Sequence, residues 1–322
     1  MDKIVLIAFI ISFAITVIAV KLLIPVLQRL KMGQRILTIG PSWHIGKQGT
    51  PTMGGLAFLI GAVAVCIGFA LIAKGGVDIK LLLTTVYVLF NGFIGVLDDA
   101  LKLKRKQNEG LTAFSKFFLQ LLFAAAYIVV LSVNGLVDTE LYVPFWSESI
   151  DIGRLYYPFA LLFLTGFTNA VNLTDGLDGL CSSVSAGVAL FFTVTAMRYG
   201  EYASSVIALF VLGACLGFLV FNHHPARVFM GDTGSLFLGS AISSLALISD
   251  KGTLLFIVGG VYLLEAASVI LQVGYYKLTK KRLFLMAPFH HHLEKKGLNE
   301  VRITVLMSAV TLILAAVAYL FA

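Results

Sequence analysis

The sequence is built mainly from apolar segments of about 20 residues, the length that an α-helix needs to cross the hydrocarbon core of a membrane. Because lipid offers the backbone no hydrogen-bonding partner, such segments span membranes as helices rather than as isolated strands. Ten of them can be delimited, which predicts an all-α, polytopic membrane protein with ten transmembrane helices. The predicted spans are residues 4–24, 53–73, 79–97, 114–133, 155–172, 179–197, 203–221, 233–249, 253–276 and 302–321.

The composition excludes a soluble globular protein, since 59% of the residues are hydrophobic and 13% are charged. The spans leave no room for a separate soluble domain and no internal repeat is evident, so residues 1–322 are predicted to form a single integral-membrane domain. The first segment is interpreted as a retained helix, because no small-residue cleavage site precedes Lys21. We interpret the net charge of +7 as loop charge that orients the helices, which makes nucleic acid an unexpected partner.

The basic residues are distributed unevenly between the two sides of this bundle. The odd-numbered connections hold about three quarters of the 24 lysines and arginines, and positive loops stay in the cytoplasm. This bias predicts that both termini lie outside and that the odd-numbered connections lie in the cytoplasm. Residues 134–154 form the long outer connection, whose aromatic residues are expected to lie along the membrane surface.

Two adjacent carboxylates, Asp98 and Asp99, close the third apolar segment on its cytoplasmic side. On a helix they would point about 100° apart, which suits two different roles, such as a metal ligand and a base. Lys102 continues the Asp98 face four residues later and could attract phosphate. From this segment alone, ordinary ion pairs at a solvated helix end explain these residues equally well.

Three further aspartates lie in the fifth and seventh connections, which are also cytoplasmic. Asp175 and Asp178 would share a helix face and follow Asn172, although a capped turn would also use such residues. Asp232 stands at the expected N-cap of the eighth helix, where a flanking glycine also favours phosphate binding.

The ninth connection contains three consecutive histidines, His290, His291 and His292. Consecutive side chains fan around a helix or alternate along an extended loop, so they are poorly placed to chelate one ion together. They could belong to a polar loop, or they could contact a polar substrate with one imidazole near a reacting phosphate.

Together, five carboxylates lie beside apolar helices, where such groups are costly and usually functional. An oxygen-rich set without cysteine suits a hard cation such as Mg²⁺, which binds through one or two carboxylates and substrate phosphates. The pattern therefore predicts phosphoryl chemistry at the cytoplasmic membrane surface.

At these motifs the sequence closely resembles the phospho-N-acetylmuramoyl-pentapeptide translocases of bacterial cell-wall synthesis, within the polyprenyl-phosphate N-acetylhexosamine-1-phosphate transferase superfamily. The resemblance covers the whole chain, with the motifs in the same order and spacing. The motifs are Gly49-Thr50-Pro51-Thr52-Met53-Gly54-Gly55, Asp98-Asp99, the run from Asn172 to Leu180, the run from Phe229 to Leu236, and Ala287-Pro288-Phe289-His290-His291-His292. The histidine loop resembles the muramoyl-pentapeptide branch rather than the N-acetylglucosamine-1-phosphate transferases.

The resemblance implies that UDP-N-acetylmuramoyl-pentapeptide reacts with undecaprenyl phosphate to give UMP and lipid I in the bacterial plasma membrane. It implies Mg²⁺ held by Asp232, a base or positioning role for Asp98 supported by Asp99, and His290 near the reacting groups. The substrate-binding positions that it implies are Lys47, Lys102, Lys116, Asn172, Asp175, Asp178, Asn222, Phe229, His291 and His292.

A secondary transporter is the alternative from another class, because intramembrane carboxylates also relay protons. Within the enzymes, an N-acetylglucosamine-1-phosphate transferase is the alternative, and the loop from Ala287 to Gly297 discriminates between the two. Glu265 lacks an evident partner in its helix and is either a protonated buried acid or part of a polar groove. A homodimer is compatible with the sequence.

Overall fold

A computed structural model describes residues 2–30, 47, 49–72, 78–105, 109–146 and 148–322. The described chain is mainly helical. Its helices are α1 (Asp2–Arg29), α2 (Leu56–Ile72), α3 (Ile79–Arg105), α4 (Ala113–Val133), α5 (Tyr156–Thr174), α6 (Leu180–Tyr199), α7 (Tyr202–Asn222), α8 (Gly231–Ile248), α9 (Leu255–Val258), α10 (Gly260–Thr279), α11 (Phe289–Lys295) and α12 (Glu300–Tyr319).

Among these helices, seven are long and apolar enough to cross a membrane, and the bent pair of α9 and α10 brings the number to eight. α2 is also apolar, but it has 17 residues and is shorter than a typical span. The polytopic all-α membrane class is therefore confirmed, while the finer count of ten spans stays a prediction.

The bundle has a central layer and an outer layer. In the most apolar stretches of α6, α7 and α8 about four fifths of the residues are buried, against 22% in α1 and α12. The outer helices instead expose large apolar side chains, for example Ile10 and Ile313. An apolar exterior of this kind is stable only when lipid covers it, so α8 is the axis of the protein and α1 and α12 face the bilayer.

α3 and α8 approach each other at the point where their polar residues lie. Gly95 makes this approach possible, because a Cβ at that position would come within 2.2 Å of the carbonyl oxygen of Asp232. A side chain would force the two backbones apart, so the glycine sets the distance between the end of α3 and the start of α8.

Two features differ from the sequence-based prediction. The connection between α4 and α5, which the sequence predicts to lie outside, contains an antiparallel hairpin of β1 (Glu140–Val143) and β2 (Glu148–Asp151), in which Glu140 pairs with Asp151. The hairpin adds a small β element to the all-α fold. The ninth predicted span, 253–276, is broken at Gly259, and the two parts meet at 68°. An apolar run indicates the length and burial of a span but not whether its helix is continuous, so this bend could not be predicted from the sequence.

Candidate active site

The first polar cluster joins the end of α3, the start of α4 and the start of α8. We call it the aspartate–lysine centre, and it comprises Asp98, Asp99, Lys102, Lys116 and Asp232. Both ammonium groups converge on one oxygen of Asp232, Oδ2, with Nζ of Lys102 at 2.8 Å and Nζ of Lys116 at 2.6 Å. Carboxylate oxygens of the three aspartates lie within 4.8 Å of one another. This crowding of like charge is offset by the two lysines.

Asp98 is almost fully buried and contacts both lysines. Its Oδ2 lies 2.7 Å from Nζ of Lys102, and its Oδ1 lies 3.2 Å from Nζ of Lys116. The same Oδ1 accepts a hydrogen bond from the backbone N–H of Leu111 at 2.9 Å. Asp98 therefore fixes the two ammonium groups relative to the loop before α4.

Asp99 points in a different direction and caps α8. Its carboxylate accepts hydrogen bonds from the backbone N–H of Asp232 at 3.2 Å and of Thr233 at 2.9 Å, and from Oγ1 of Thr233 at 2.8 Å. The expected N-cap role of Asp232 is thus wrong: Asp232 lies in the first turn of α8, and a carboxylate from α3 satisfies the free amides instead. The carboxylate of Asp232 instead accepts hydrogen bonds from Lys102, Lys116 and Asn172.

The second polar cluster joins the segment before α2, the loop between α5 and α6, the segment that follows α7, and the start of α12. We call it the Lys47 cluster, and it comprises Lys47, Asp178, His224 and Glu300. Nζ of Lys47 donates to Oδ1 of Asp178 at 2.7 Å and to Oε1 of Glu300 at 2.5 Å. Nδ1 of His224 lies 3.0 Å from Oδ2 of Asp178.

The pKa values of the two aspartates in the α5–α6 loop are shifted in opposite directions. Burial alone would raise the pKa of Asp178, but its bonds to Lys47, the Ala226 amide and His224 hold that pKa below its ordinary value. Burial raises the pKa of Asp175 to about 8, and carboxylates of both clusters add to the shift. Asp175 thus lies within the field of both clusters and is mainly protonated at neutral pH.

Two asparagines hold the loops of these clusters together. Nδ2 of Asn172 donates to Oδ1 of Asp232 at 2.9 Å and to Oγ of Ser235 at 2.7 Å. Asn222 accepts from the amide of Gly179 at 3.1 Å and donates to the carbonyl of Val228 at 2.9 Å. Asn222 therefore ties the loop before α6 to the segment before α8.

Phe229 lies on that segment and is partly buried. Its backbone N–H donates to the carbonyl of Pro51 at 2.8 Å, and its carbonyl accepts from Gly54 at 2.9 Å. These bonds join the motif that opens α2 to the motif that opens α8.

His290 is buried at the start of α11 and pairs with Glu265 of α10. Nδ1 of His290 lies 3.1 Å from Oε2 of Glu265, which supplies the partner that the sequence did not reveal. The other nitrogen, Nε2, is buried without a hydrogen-bond partner among the described residues. It points at Gly176, where a Cβ would come within 2.1 Å of it. The glycine therefore lets the imidazole reach the loop that carries Asp175.

The other two histidines turn away from this direction, as expected for consecutive residues on a helix. Nδ1 of His291 lies 2.6 Å from Oε2 of Glu294. His292 accepts a hydrogen bond from the amide of Leu285 at 3.2 Å and stacks on Phe289 with 5.5 Å between ring centroids. The three side chains have three different environments, so they cannot bind one ion together.

The chain matches two family models and is similar to several named proteins. Residues 80–250 match the model of glycosyl transferase family 4, and residues 47–59 match phospho-N-acetylmuramoyl-pentapeptide-transferase signature 1. Proteins named phospho-N-acetylmuramoyl-pentapeptide-transferase from Geobacillus thermodenitrificans and Clostridium botulinum are 44% and 42% identical, over 98% of this chain and 96% of each relative. One from Acetivibrio thermocellus is 43% identical over 95% of this chain and 92% of its own.

The chain belongs to the phospho-N-acetylmuramoyl-pentapeptide-transferase family. The family resemblance inferred from the sequence is thereby confirmed. The signature match begins at Lys47, a position that rested on a weak local similarity in the sequence. The match also favours the pentapeptide-transferase branch over the N-acetylglucosamine-1-phosphate transferases.

The structure of this transferase also brings in residues that sequence reasoning missed. Glu300 and His224 complete the Lys47 cluster, and Thr233 binds Asp99. Glu300 follows Asn299, whose side chain accepts from the amide of Arg302 at 2.8 Å. In sequence, Asn-Glu at the start of an apolar helix resembles an ordinary cap and first-turn acid, so no signal marked Glu300.

Proposed function

We propose that this protein transfers phospho-N-acetylmuramoyl-pentapeptide from its UDP-linked form to undecaprenyl phosphate, giving lipid I and UMP. This is the first membrane step of bacterial peptidoglycan synthesis. The observation that carries the proposal is the 42 to 44% identity to transferases of that name over nearly the whole chain. The two polar clusters supply cations and carboxylates of the kind that phosphoryl transfer requires.

The site lies on the cytoplasmic side of a plasma membrane in this proposal, in a single domain of ten spans with both termini outside. The ends of α3, α5 and α7 and the starts of α4, α6, α8 and α12 meet around the two clusters. When a chain crosses the membrane at each helix, the end of one helix and the start of the next lie at the same face. The basic bias of the same connections supports the cytoplasmic assignment. The homodimer stays a prediction that a single chain does not test.

This orientation can be checked by labelling. A cysteine at Lys104, at the exposed end of α3, should be shielded from an impermeant thiol reagent in intact cells, and one at Asn134 should be labelled. The three native cysteines, Cys66, Cys181 and Cys215, are replaced first. Labelling of the Lys104 position alone would place the active site outside and overturn the assignment.

The two clusters divide the nucleotide between them. The ammonium groups of Lys102 and Lys116 suit the diphosphate, because they can exchange Asp232 for phosphate oxygens. The Lys47 cluster and Phe229 suit the uridine, since Asp178 accepts hydrogen bonds, Lys47 donates them and the ring offers a stacking face. Asp175, mainly protonated at neutral pH, adds no negative charge between them. His290 reaches the same loop from the other side, where its free Nε2 can contact the sugar or the diphosphate.

In the reaction, an oxygen of the lipid phosphate attacks the β-phosphorus of the UDP-linked substrate. A new phosphorus–oxygen bond forms, and the bond from the β-phosphorus to the bridging oxygen breaks. UMP leaves with the electron pair, and its charge is balanced by Lys102 and Lys116. Asp98 acts as the base or positioning group. Its bonds to both lysines favour the positioning role, in which it aims the two ammonium groups at the reacting phosphates.

The donors of the aspartate–lysine centre fit Mg²⁺. Carboxylate oxygens of Asp98, Asp99 and Asp232 lie within 4.8 Å of one another, with no sulfur donor nearby. Asp232 is the principal candidate ligand, because its carboxylate is the most exposed of the three, while Asp99 is engaged by α8. A bound Mg²⁺ would neutralise charge on the diphosphate.

The test is incubation of the purified protein with UDP-N-acetylmuramoyl-pentapeptide, undecaprenyl phosphate and Mg²⁺, with omission of each and with a chelator. UMP should form only when all three are present. UDP-N-acetylglucosamine serves as the control donor for the other branch of the superfamily. UMP released from the control donor alone would overturn the substrate assignment, and uptake of a solute into vesicles without UMP release would favour a transporter.

A further inference from the structure

Glu300, the first residue of α12, is buried among three segments that are far apart in sequence. Its Oε1 accepts hydrogen bonds from Nζ of Lys47 at 2.5 Å and from the backbone N–H of Asp178. Its Oε2 lies 3.4 Å from Nδ1 of His224. Only 8% of Glu300 is exposed, so its charge is compensated by these partners rather than by water.

α12 forms hydrogen bonds with both the backbone N–H and the backbone carbonyl of Asp178. Glu300 accepts from the N–H of Asp178, and Thr304, one turn later on the same face, donates to the carbonyl of Asp178 at 3.2 Å. The carboxylate of Asp178 then reaches Lys47 and the Ala226 amide. The position of Asp178 is thus determined by the start of the last helix, about 120 residues away in sequence.

Glu300 also decides where the Lys47 ammonium lies. With Asp178 alone, Nζ of Lys47 would have one carboxylate partner and could rotate about a long, flexible side chain. With Glu300, the ammonium is held between two carboxylates on two different elements. A pre-organised donor loses less conformational entropy when it binds a ligand, so this restraint favours affinity.

We infer that Glu300 is a positioning residue for the nucleotide, which acts by fixing Lys47 and Asp178 in the uridine-binding part of the site. The inference rests on the proposed function, which assigns both residues to the nucleotide. Glu300 does not touch the aspartate–lysine centre in the described structure, so its contribution belongs to binding of the UDP-linked substrate. The chemical step and the binding of undecaprenyl phosphate do not depend on it.

The first test is the kinetics of Glu300→Gln, which keeps the shape of the side chain but removes its charge. The KM for UDP-N-acetylmuramoyl-pentapeptide should rise about tenfold, which corresponds to the loss of one charge-assisted hydrogen bond. The kcat and the KM for undecaprenyl phosphate should change by less than about twofold. The substitution weakens binding of the UDP-linked substrate equally in the ground state and in the transition state, and such a loss raises the KM without lowering kcat.

The matched control is Asn299→Ala, which removes the N-cap of the same helix. This variant should lower the thermal unfolding temperature and leave the KM for the UDP-linked substrate unchanged, because Asn299 does not contact Lys47 or Asp178. If Asn299→Ala raised that KM as much as Glu300→Gln does, Glu300 would matter only as part of the helix start and the inference would be overturned.

A double-mutant cycle with Lys47→Met distinguishes positioning from general damage. If Glu300 acts through Lys47, the tenfold effect of Glu300→Gln should shrink to less than about threefold in the Lys47→Met background. An unchanged tenfold effect in that background would contradict the inference. A tenfold fall of kcat caused by Glu300→Gln in either background would contradict it as well.

Binding of UDP, measured by calorimetry without the lipid substrate, separates this inference from the proposed function. Weaker UDP binding by Glu300→Gln than by the unmodified protein supports the inference even if the unmodified protein forms no UMP. Turnover by the unmodified protein with equal UDP affinity in both forms would sink the inference alone. Absence of UDP binding by the unmodified protein would overturn both.

Discussion

The two polar clusters are built from the same residue types but are held in different ways. In the aspartate–lysine centre, the ammonium groups of Lys102 and Lys116 contact carboxylates, and both converge on Asp232, which is partly exposed. In that centre Asp98 and Asp99 also accept backbone N–H groups, but in the described structure Asp232 accepts only from side chains. In the Lys47 cluster, both carboxylates that hold the ammonium group accept backbone N–H groups, Glu300 from Asp178 and Asp178 from Ala226. Asp232 can therefore release the two ammonium groups when a phosphate arrives, whereas the carboxylates around Lys47 are fixed by the backbone. The difference separates a part of the site suited to chemistry from a part suited to recognition.

The largest expected effect concerns the first cluster. Asp98→Asn and Asp232→Asn should each lower kcat by at least about a hundredfold, because each removes a charge that orders the two lysines or the metal. Asp232→Asn should also weaken the dependence on Mg²⁺, since it removes ligand charge. The measurement is UMP release at saturating substrates.

The control is Asp138→Asn, an exposed aspartate of the connection between α4 and α5, which should leave kcat unchanged. Near-normal turnover of folded Asp98→Asn and Asp232→Asn proteins would remove the distinction between the two clusters.

The second expected effect concerns recognition. Phe229→Ala should raise the KM for the UDP-linked substrate by about 5- to 150-fold, since a base stacked on an aromatic ring contributes about 1 to 3 kcal/mol. The KM for undecaprenyl phosphate should stay nearly unchanged, and Phe229→Trp should retain much of the affinity. Steady-state kinetics with each substrate varied in turn measure both constants. Equal weakening of both substrates, or a loss of thermal stability alone, would make Phe229 a packing residue.

The smallest expected effect concerns Asp175, which lies within the field of both clusters. Its pKa of about 8 means that it is protonated at neutral pH and gains a negative charge as the pH rises through 8. The charge should repel the anionic UDP-linked substrate, so kcat/KM for that substrate should fall about fivefold from pH 8 to pH 9, the change in the protonated fraction of a group with this pKa. In Asp175→Asn, which cannot ionise, this alkaline fall should be absent.

The pH profile of kcat/KM from pH 6 to 9.5 measures this effect, with the unmodified protein and the variant side by side. An identical alkaline fall of kcat/KM in both proteins would show that another group titrates and that the charge of Asp175 does not affect the substrate.

The sequence predicted the class of fold and the residue types of the site because both depend on local patterns. Apolar length predicts membrane helices, and an aspartate beside such a helix is costly enough to suggest function, as for Asp98 and Asp232. The contacts between distant segments were not predictable in this way. Nothing near Asp99 shows that it caps a helix that begins at Gly231, and nothing near Glu265 shows that His290 will pair with it.

The same limit explains the remaining differences. The hairpin of β1 and β2 lies in the polar connection between α4 and α5, where alternating aromatic residues predicted a surface location but not strand pairing. The bend at Gly259 depends on how α9 packs, because a glycine between two apolar helices is compatible with a straight span as well. Such features are decided by tertiary packing, which a single sequence records only indirectly.

The capping of α8 by Asp99 also bears on how the protein is made. α3 leaves the ribosome long before α8, since the bonded residues are separated by more than 130 positions. During that interval Asp99 lacks its partners from α8, and α3 itself supplies Lys102 to Asp98 and to Asp99, four and three residues further along the same helix. Lys102 therefore serves during membrane insertion as the counter-charge that α3 carries with it. The newly inserted α8 then completes the centre by offering its free amides to a carboxylate that is already in place.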